Sequence, residues 1–418
     1  MPDPTSLVSS VRQAQSLDQV KPLLQLCKAG RLFDVQGWMA AGNPLNPPPH
    51  VQKGSAPRSP LEVAVEQGFQ SLVLVLLRGG AAFNRSGHCR ALTSALRLRR
   101  FDLVQLLVEH GYDPAAVDLC EVFETWDRAI MEYFIDRGAD LDTGDPLAQA
   151  LCQRIRTALG VFKRYREFRP ALQRQADIAL RYHCKEGNLK WVSLMLWAGA
   201  DAYSLGPDNP GQHLDAEDEG YSALAYAALH RRFEVFQLKQ LRLDPHHPAM
   251  RTVALWSCDW QGKGLLDRLL QLGMPVNDQE NGGSSLLQHL IEMASWSASH
   301  VLERRPIPEG GLDTFEAECK MEVAELLVRR GARWVPLDRS QMNIARRSLL
   351  KLAPKYTLRL VTLLARHAAC SRATMKLLLA GPKMKAHLAK HARRIANLVV
   401  SLQSNPDATP PRSAQEQE

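Results

Sequence analysis

Residues Ser59 to Gly80, SPLEVAVEQGFQSLVLVLLRGG, decide the fold of this chain. Leu61, Val63, Ala64 and Val65 form one short apolar run, and Leu72, Val73, Val75, Leu76 and Leu77 form a second. Each run has the spacing of a short amphipathic helix. Gly68 stands between them, where a tight turn needs a positive φ, and Gly80 closes the second helix in a left-handed cap. The stretch reads as a helix–turn–helix hairpin. Such a unit cannot bury both of its faces alone and must stack on neighbours of its own kind.

The same spacing recurs outward from this stretch. Leucine and closing glycine stand 19 residues apart in Leu61 and Gly80, and again in Leu23 and Gly42, Leu92 and Gly111, Leu119 and Gly138, and Leu180 and Gly199. A second glycine precedes the closing one by 12 residues at Gly30, Gly68 and Gly187. Ser59-Pro60-Leu61-Glu62-Val63-Ala64 resembles the T-P-L-H-x-A opening of the ankyrin family. Leu76-Leu77-Arg78-Gly79-Gly80-Ala81, Phe134-Ile135-Asp136-Arg137-Gly138-Ala139-Asp140 and Leu196-Trp197-Ala198-Gly199-Ala200-Asp201 resemble its L-L-x-x-G-A-D closing. Glu219 to Ala227 is similar to the D-G-x-T-P-L-H-x-A turn, and Leu326-Leu327-Val328-Arg329-Arg330-Gly331-Ala332 closes the last recognisable unit.

The resemblance implies an all-α fold, an ankyrin-repeat solenoid with two helical or loop insertions and a C-terminal helical cap. An N-terminal segment, 1–19, precedes about eight units over 20–336, several of them degenerate. The unit beginning at Leu224 lacks its closing glycine, and the one ending at Gly273 lacks its opening leucine. Gly138 and Gly199 are 61 residues apart and Gly273 and Gly331 are 58 apart, against about 33 for the family. These gaps predict insertions near 146–176 and 293–318. A basic cap follows over 337–403, then a disordered tail, 404–418, rich in Pro, Ser, Gln and Glu.

Composition narrows the function classes. Apolar residues make up 45% of the chain and charged residues 23%, the balance of an ordinary folded protein. No apolar run approaches the ~18 residues that cross a bilayer, and no secretory leader is legible at the start. The eight cysteines form no C-x-x-C pair, so neither a zinc site nor a dithiol is expected, and a cytoplasmic location is. Phosphate-loop, nucleophile-elbow and H-E-x-x-H patterns are missing. Gly262-Lys263-Gly264 lacks a phosphate-loop frame, His183-Cys184 falls inside a repeat helix, and the acidic run Asp215 to Glu219 reads as a solvated loop. No enzyme activity, cofactor, metal or small-molecule substrate is expected.

Charge is polarised along the chain. Between Arg339 and Pro406 there are fourteen Lys and Arg residues and no Asp or Glu, so the rest of a chain of net charge +8 carries −6. Helices are expected near 342–353, 356–369, 372–380 and 383–402, with Ser371 as the N-cap of the third, Gly381 as its stop and Pro382 opening the fourth. In that last helix Lys383, His387, Lys390 and Arg394 fall at i, i+4, i+7 and i+11 and make one cationic ridge. With Arg346, Arg347 and Lys351 they are the polyanion-binding candidates. Tyr356 is the only aromatic in the stretch, so backbone contact suits it better than base stacking.

Three functional readings follow. The first is a non-enzymatic scaffold for protein–protein interaction. Its partner would be gripped, as the resemblance implies, by inner helices and by loops carrying Phe83, Arg85, His88 and Arg90, then Tyr112, then Asp140 and Asp142, then Tyr203. The second is nucleic-acid or other polyanion binding by the cationic C-terminal helices. The third is a regulator or effector that works by capturing a target.

Overall fold

Leucine-rich runs too short to bury themselves fold here as paired helices. The computed structural model describes residues 13–48, 57–82, 89–212, 214–215, 219–259, 261–277, 285–292, 312–334 and 339–401. Among these residues no strand forms, and the β-type contact is the isolated parallel bridge between Gln13 and Asn46. Contacts divide the chain into two compact units. One comprises residues 1–180, 197–200 and 209–213; the other comprises 181–196, 201–208 and 214–418.

The first unit holds five hairpins in succession. They are α1 (Lys21–Lys28) with α2 (Leu32–Ala40), α3 (Pro60–Glu66) with α4 (Gln70–Arg78), and α5 (Arg90–Arg97) with α6 (Phe101–Glu109). Then come α7 (Leu119–Phe123) with α8 (Arg128–Asp136), and α9 (Pro146–Cys152) with α10 (Arg156–Tyr165). The Ser59 hydroxyl accepts the Glu62 N–H at 3.1 Å, and the Glu62 carboxylate accepts the Ser59 N–H at 3.2 Å. This reciprocal cap and Pro60 at the first helical position fix where α3 begins. Its apolar face, with Leu61, Val63 and Ala64, is buried, and each such leucine contributes roughly 1.5–3 kcal/mol. First helices pack on first helices, α1 on α3, α3 on α5, α5 on α7 and α7 on α9, while α2 packs on α4, α4 on α6 and α8 on α10.

In the five hairpins of the first unit the turn between paired helices keeps one conformation whatever residue occupies it. Gly68 has φ 74°, and the equivalent Arg99, Trp126 and Arg154 have φ 53°, 60° and 68°. A left-handed non-glycine costs about 1 kcal/mol, so stacking imposes this turn where the sequence no longer favours it. The 146–176 stretch, expected as an insertion, is therefore a correction. Pro146-Leu147-Ala148-Gln149-Ala150 opens α9, Arg154 makes the turn, and α9–α10 stacks like its neighbours. What it lacks is the closing glycine: Arg166 stands there with φ −53°. The remainder of the stretch lengthens α11 (Pro170–Glu186), which pairs in sequence with α12 (Leu189–Ala198).

The second unit continues with α13 (Ala223–Leu229), started by the Ser222 hydroxyl on the Ala225 N–H, and with Arg231 at φ 58° in the turn after it. Next are α14 (Ala249–Trp256), α15 (Lys263–Gln271), α16 (Leu286–Glu292) and α17 (Leu312–Arg329). Residues 293–311 of the second expected insertion lie outside the described residues, and 312–318 begin α17. Helices α16 and α17 pack on each other.

The expected cap begins as another hairpin. Helices α18 (Arg339–Lys351) and α19 (Pro354–Arg366) pack on α16 and α17 respectively. Leu363-Leu364-Ala365-Arg366-His367-Ala368-Ala369 closes α19 with Ala368 at φ 48° in the glycine position. The Ala369 N–H reaches the Leu364 carbonyl at 2.9 Å, as Ala81 reaches Leu76 at 3.0 Å and Ala332 reaches Leu327 at 2.9 Å. Three shorter helices follow: α20 (Arg372–Leu379), α21 (Pro382–His387) and α22 (Ala392–Ser401). Ser371 caps α20 through the Thr374 N–H at 3.0 Å, as its sequence predicts. The expected tail lies outside the described residues.

Candidate interaction surfaces

The loops between hairpins are held by polar side chains placed four residues after a closing glycine. Asn46, four past Gly42, donates to the Gly80 carbonyl at 3.2 Å and accepts the Ala82 N–H at 2.8 Å. Asn277, four past Gly273, does the same to the Gly331 carbonyl at 2.9 Å and the Arg333 N–H at 2.6 Å. One amide thus clips two successive closing turns by satisfying backbone groups on the second. Tyr203, four past Gly199, makes the corresponding bridge with a phenol. It donates to the Arg242 carbonyl at 2.9 Å and accepts the Asp244 N–H at 2.8 Å. Its ring also leans on His247, with centroids 4.4 Å apart, and burial pushes the phenol pKa up. The sequence carried this signal as a spacing of four, which composition and family pattern leave unread.

The other loop candidates differ in what they offer. Phe83, Arg85 and His88 lie outside the described residues. Arg90 is not a loop residue but the first residue of α5, and it is half-buried. Tyr112 is half-buried, and burial raises its phenol pKa to about 12. Asp140 and Asp142 are exposed. The Asp140 carboxylate accepts the Asp142 N–H at 2.8 Å and the Thr143 N–H at 3.3 Å. Hydrogen bonding, first from the Thr143 side chain, holds its carboxyl below the usual range. Asp142 lies 3.9 Å from Arg174.

The long connection after Gly199 is fastened rather than free. In the first unit Asp145 is buried, and its carboxylate accepts Arg174 at 2.6 Å and the Gly211 N–H at 2.9 Å. In the second unit Arg181, 2% exposed, donates to the Pro207 carbonyl at 2.6 Å, the Ser204 carbonyl at 3.0 Å and the Ser204 hydroxyl at 2.9 Å. Lys185 pairs with Asp208 at 2.5 Å. Most of the acidic run 215–219 lies outside the described residues. Among the described residues no three His, Cys, Asp or Glu side chains gather as a metal site would require.

The C-terminal cations are displayed differently from the expected ridge. Helix α21 ends at His387, a 3-10 turn covers Ala389–His391, and α22 restarts at Ala392. The helical phase is broken at Leu388, so Lys383, His387, Lys390 and Arg394 do not run along one helix face. The break arises because α21 packs on α18, whereas α22 packs on α19 and α20, and Leu388 is buried at the bend. Lys383, Lys390, Arg394 and Arg347 are exposed, and Lys376, Lys385 and Arg393 join them. His387 is half-buried, with Nε2 3.4 Å from the Thr357 hydroxyl. Arg346 is half-buried and donates to the Leu377 carbonyl. Lys351 ends α18, and its side chain lies outside the described residues. Arg359 is spent on α17, bonding Glu318 at 2.6 Å and Glu325 at 2.8 Å.

Serially stacked hairpins, most with a left-handed turn between their helices and a left-handed closing turn after them, define a helical-repeat protein. The T-P-L-H-like openings with hydroxyl caps at Ser59 and Ser222, and the closing turns, give this array the fold of an ankyrin-repeat solenoid. Comparison with solved structures finds the ankyrin repeat domain of human ASB11, at 19% identity and a TM-score of 0.35, covering 56% of this chain and 97% of that one. The ankyrin repeat domain of Bcl-3, a member of the IkappaB protein family, matches at 17% identity and a TM-score of 0.28, covering 64% of this chain and 92% of that one. No family model and no curated protein sequence matches the chain. No described helix is long and apolar enough to cross a membrane.

Proposed function

We propose that this chain is a non-enzymatic scaffold that binds a protein partner through its hairpin array. The observation that carries this reading is the consecutive packing of first helices, α1 through α9 in the first unit, with Asn46 clipping one closing turn to the next. Stacked units of this kind create an extended surface whose contacts come from several repeats at once, which suits macromolecular recognition. A regulator or effector that works by capturing a target is a variant of the same activity.

A cationic second reading has its own observation. Lys376, Lys383, Lys385, Lys390, Arg393 and Arg394 are exposed in a stretch without a single carboxylate. The test is affinity capture with the full chain, half of each sample treated with nuclease, using Asp142→Arg and the triple change Lys383→Glu, Lys390→Glu, Arg394→Glu. Protein captured despite nuclease and lost with Asp142→Arg supports the scaffold. Capture lost with nuclease and with the triple change supports the polyanion reading, and a steep salt dependence would accompany it.

A further inference from the structure

We propose that Trp197, Phe168 and the cations at the end of α10 form a docking surface for a short acidic segment of a protein partner, a proposal that rests on the scaffold reading above. Trp197, near the end of α12, is 63% exposed, and Phe168, just past α10, is 76% exposed. Both belong to the first unit. Large aromatics this open to water contribute little to the fold that holds them, and Trp in particular is enriched where partners bind.

The surroundings hold this surface in one arrangement. The Lys163 ammonium sits 3.5 Å from the centroid of the Trp197 ring. Arg166 donates to the Ala198 carbonyl at 3.0 Å and Gln173 to the Gly199 carbonyl at 3.3 Å, so the end of α10 and the first turn of α11 are lashed to the end of α12. The Phe168 N–H bonds the Tyr165 carbonyl at 3.0 Å. With one face of the indole under a cation, the other is presented outward and already ordered. A preformed aromatic loses little side-chain freedom when it is covered.

Charge selects the occupant. Residues 146–176 contain seven Lys and Arg and a single acid, Glu167. Arg164 is engaged by Glu132 at 2.5 Å and Arg174 by Asp145, whereas Lys163 and Arg169 are exposed and have no carboxylate partner among the described residues. Lys163 on the Trp197 ring, with exposed Phe168 and Arg169 adjacent in the chain, matches a peptide with an apolar side chain flanked by carboxylates. A polyphosphate backbone fits less well: its evenly spaced charges must pass the exposed Glu167, which a peptide's separate carboxylates avoid.

The experiment is selection of phage-displayed short peptides on the immobilised full chain. The strongest synthetic peptide is then titrated by anisotropy against wild type and against Trp197→Ala, Phe168→Ala, Lys163→Glu, Arg169→Glu and Arg347→Glu. The proposal expects enriched peptides that combine Asp or Glu with an apolar residue. It expects at least ~10-fold weaker binding for Trp197→Ala, largely recovered in Trp197→Phe, and several-fold weaker binding for Lys163→Glu. Arg347→Glu, far along the sequence in α18, leaves affinity unchanged. Far-UV circular dichroism confirms that the exposed-residue variants stay folded. Enriched peptides that ignore all four patch variants overturn this surface and leave the scaffold reading standing. Basic peptides, no enrichment at all, or a single-stranded oligouridylate that binds only when Trp197 is intact each overturn the proposal as well.

Discussion

Asn46→Ala removes the clip between two closing turns and nothing else of size. Asn46 is 5% exposed and makes two backbone hydrogen bonds, to the Gly80 carbonyl and from the Ala82 N–H. Each is worth about 1 kcal/mol net, and each leaves a backbone group unsatisfied when lost, at ~1–3 kcal/mol if fully dry. Gly80 and Ala82 are only half-buried, so water recovers part of that cost. The expected loss is therefore about 2–3 kcal/mol, read from the urea midpoint at unchanged slope. Hydrogen exchange should quicken first at the Ala82 amide. Asn46→Asp refines the test, because it keeps an acceptor for Ala82 but turns a carboxylate towards the Gly80 carbonyl. That contact raises the folded-state pKa, so the variant's stability is fullest at acid pH and falls as pH rises through it. An Asn46→Ala protein within 0.5 kcal/mol of wild type would refute the clip as a stabilising element.

Three further outcomes follow from the same geometry. Tyr203→Phe keeps the ring on His247 but deletes both hydroxyl bonds, and should cost about 1–2 kcal/mol with faster exchange at the Asp244 amide, measured by hydrogen-exchange mass spectrometry. Ala368→Gly relieves a left-handed alanine at φ 48° and should stabilise by about 1 kcal/mol in thermal unfolding; a loss would mean the methyl is needed there. Arg181→Met preserves the buried stem but strips three hydrogen bonds from the 204–207 loop, for an expected loss of about 3 kcal/mol and increased protease sensitivity in that loop. Unchanged cleavage would show that the loop is held by other contacts.

The sequence by itself determined the hairpin and its repetition. Leucines at helical spacing, hydroxyl caps such as Ser59 and Ser371, and glycines such as Gly68 act over a few residues, so their effects can be read locally. The same locality explains what was misread. Arg154 and Ala368 adopt glycine's conformation because neighbouring hairpins hold them in it, and a glycine count therefore ends two hairpins too early or skips them. The ridge Lys383, His387, Lys390 and Arg394 dissolves because α21 and α22 choose different packing partners, a decision no periodicity records. Tyr203 passes from loop to clip, and Trp197 stays exposed with Lys163 on one face, for a similar reason: their contacts lie dozens of residues away. Propensity and capping set which helices form; only tertiary packing, by deciding which polar groups find partners and which aromatics do not, sets which surfaces remain to be used.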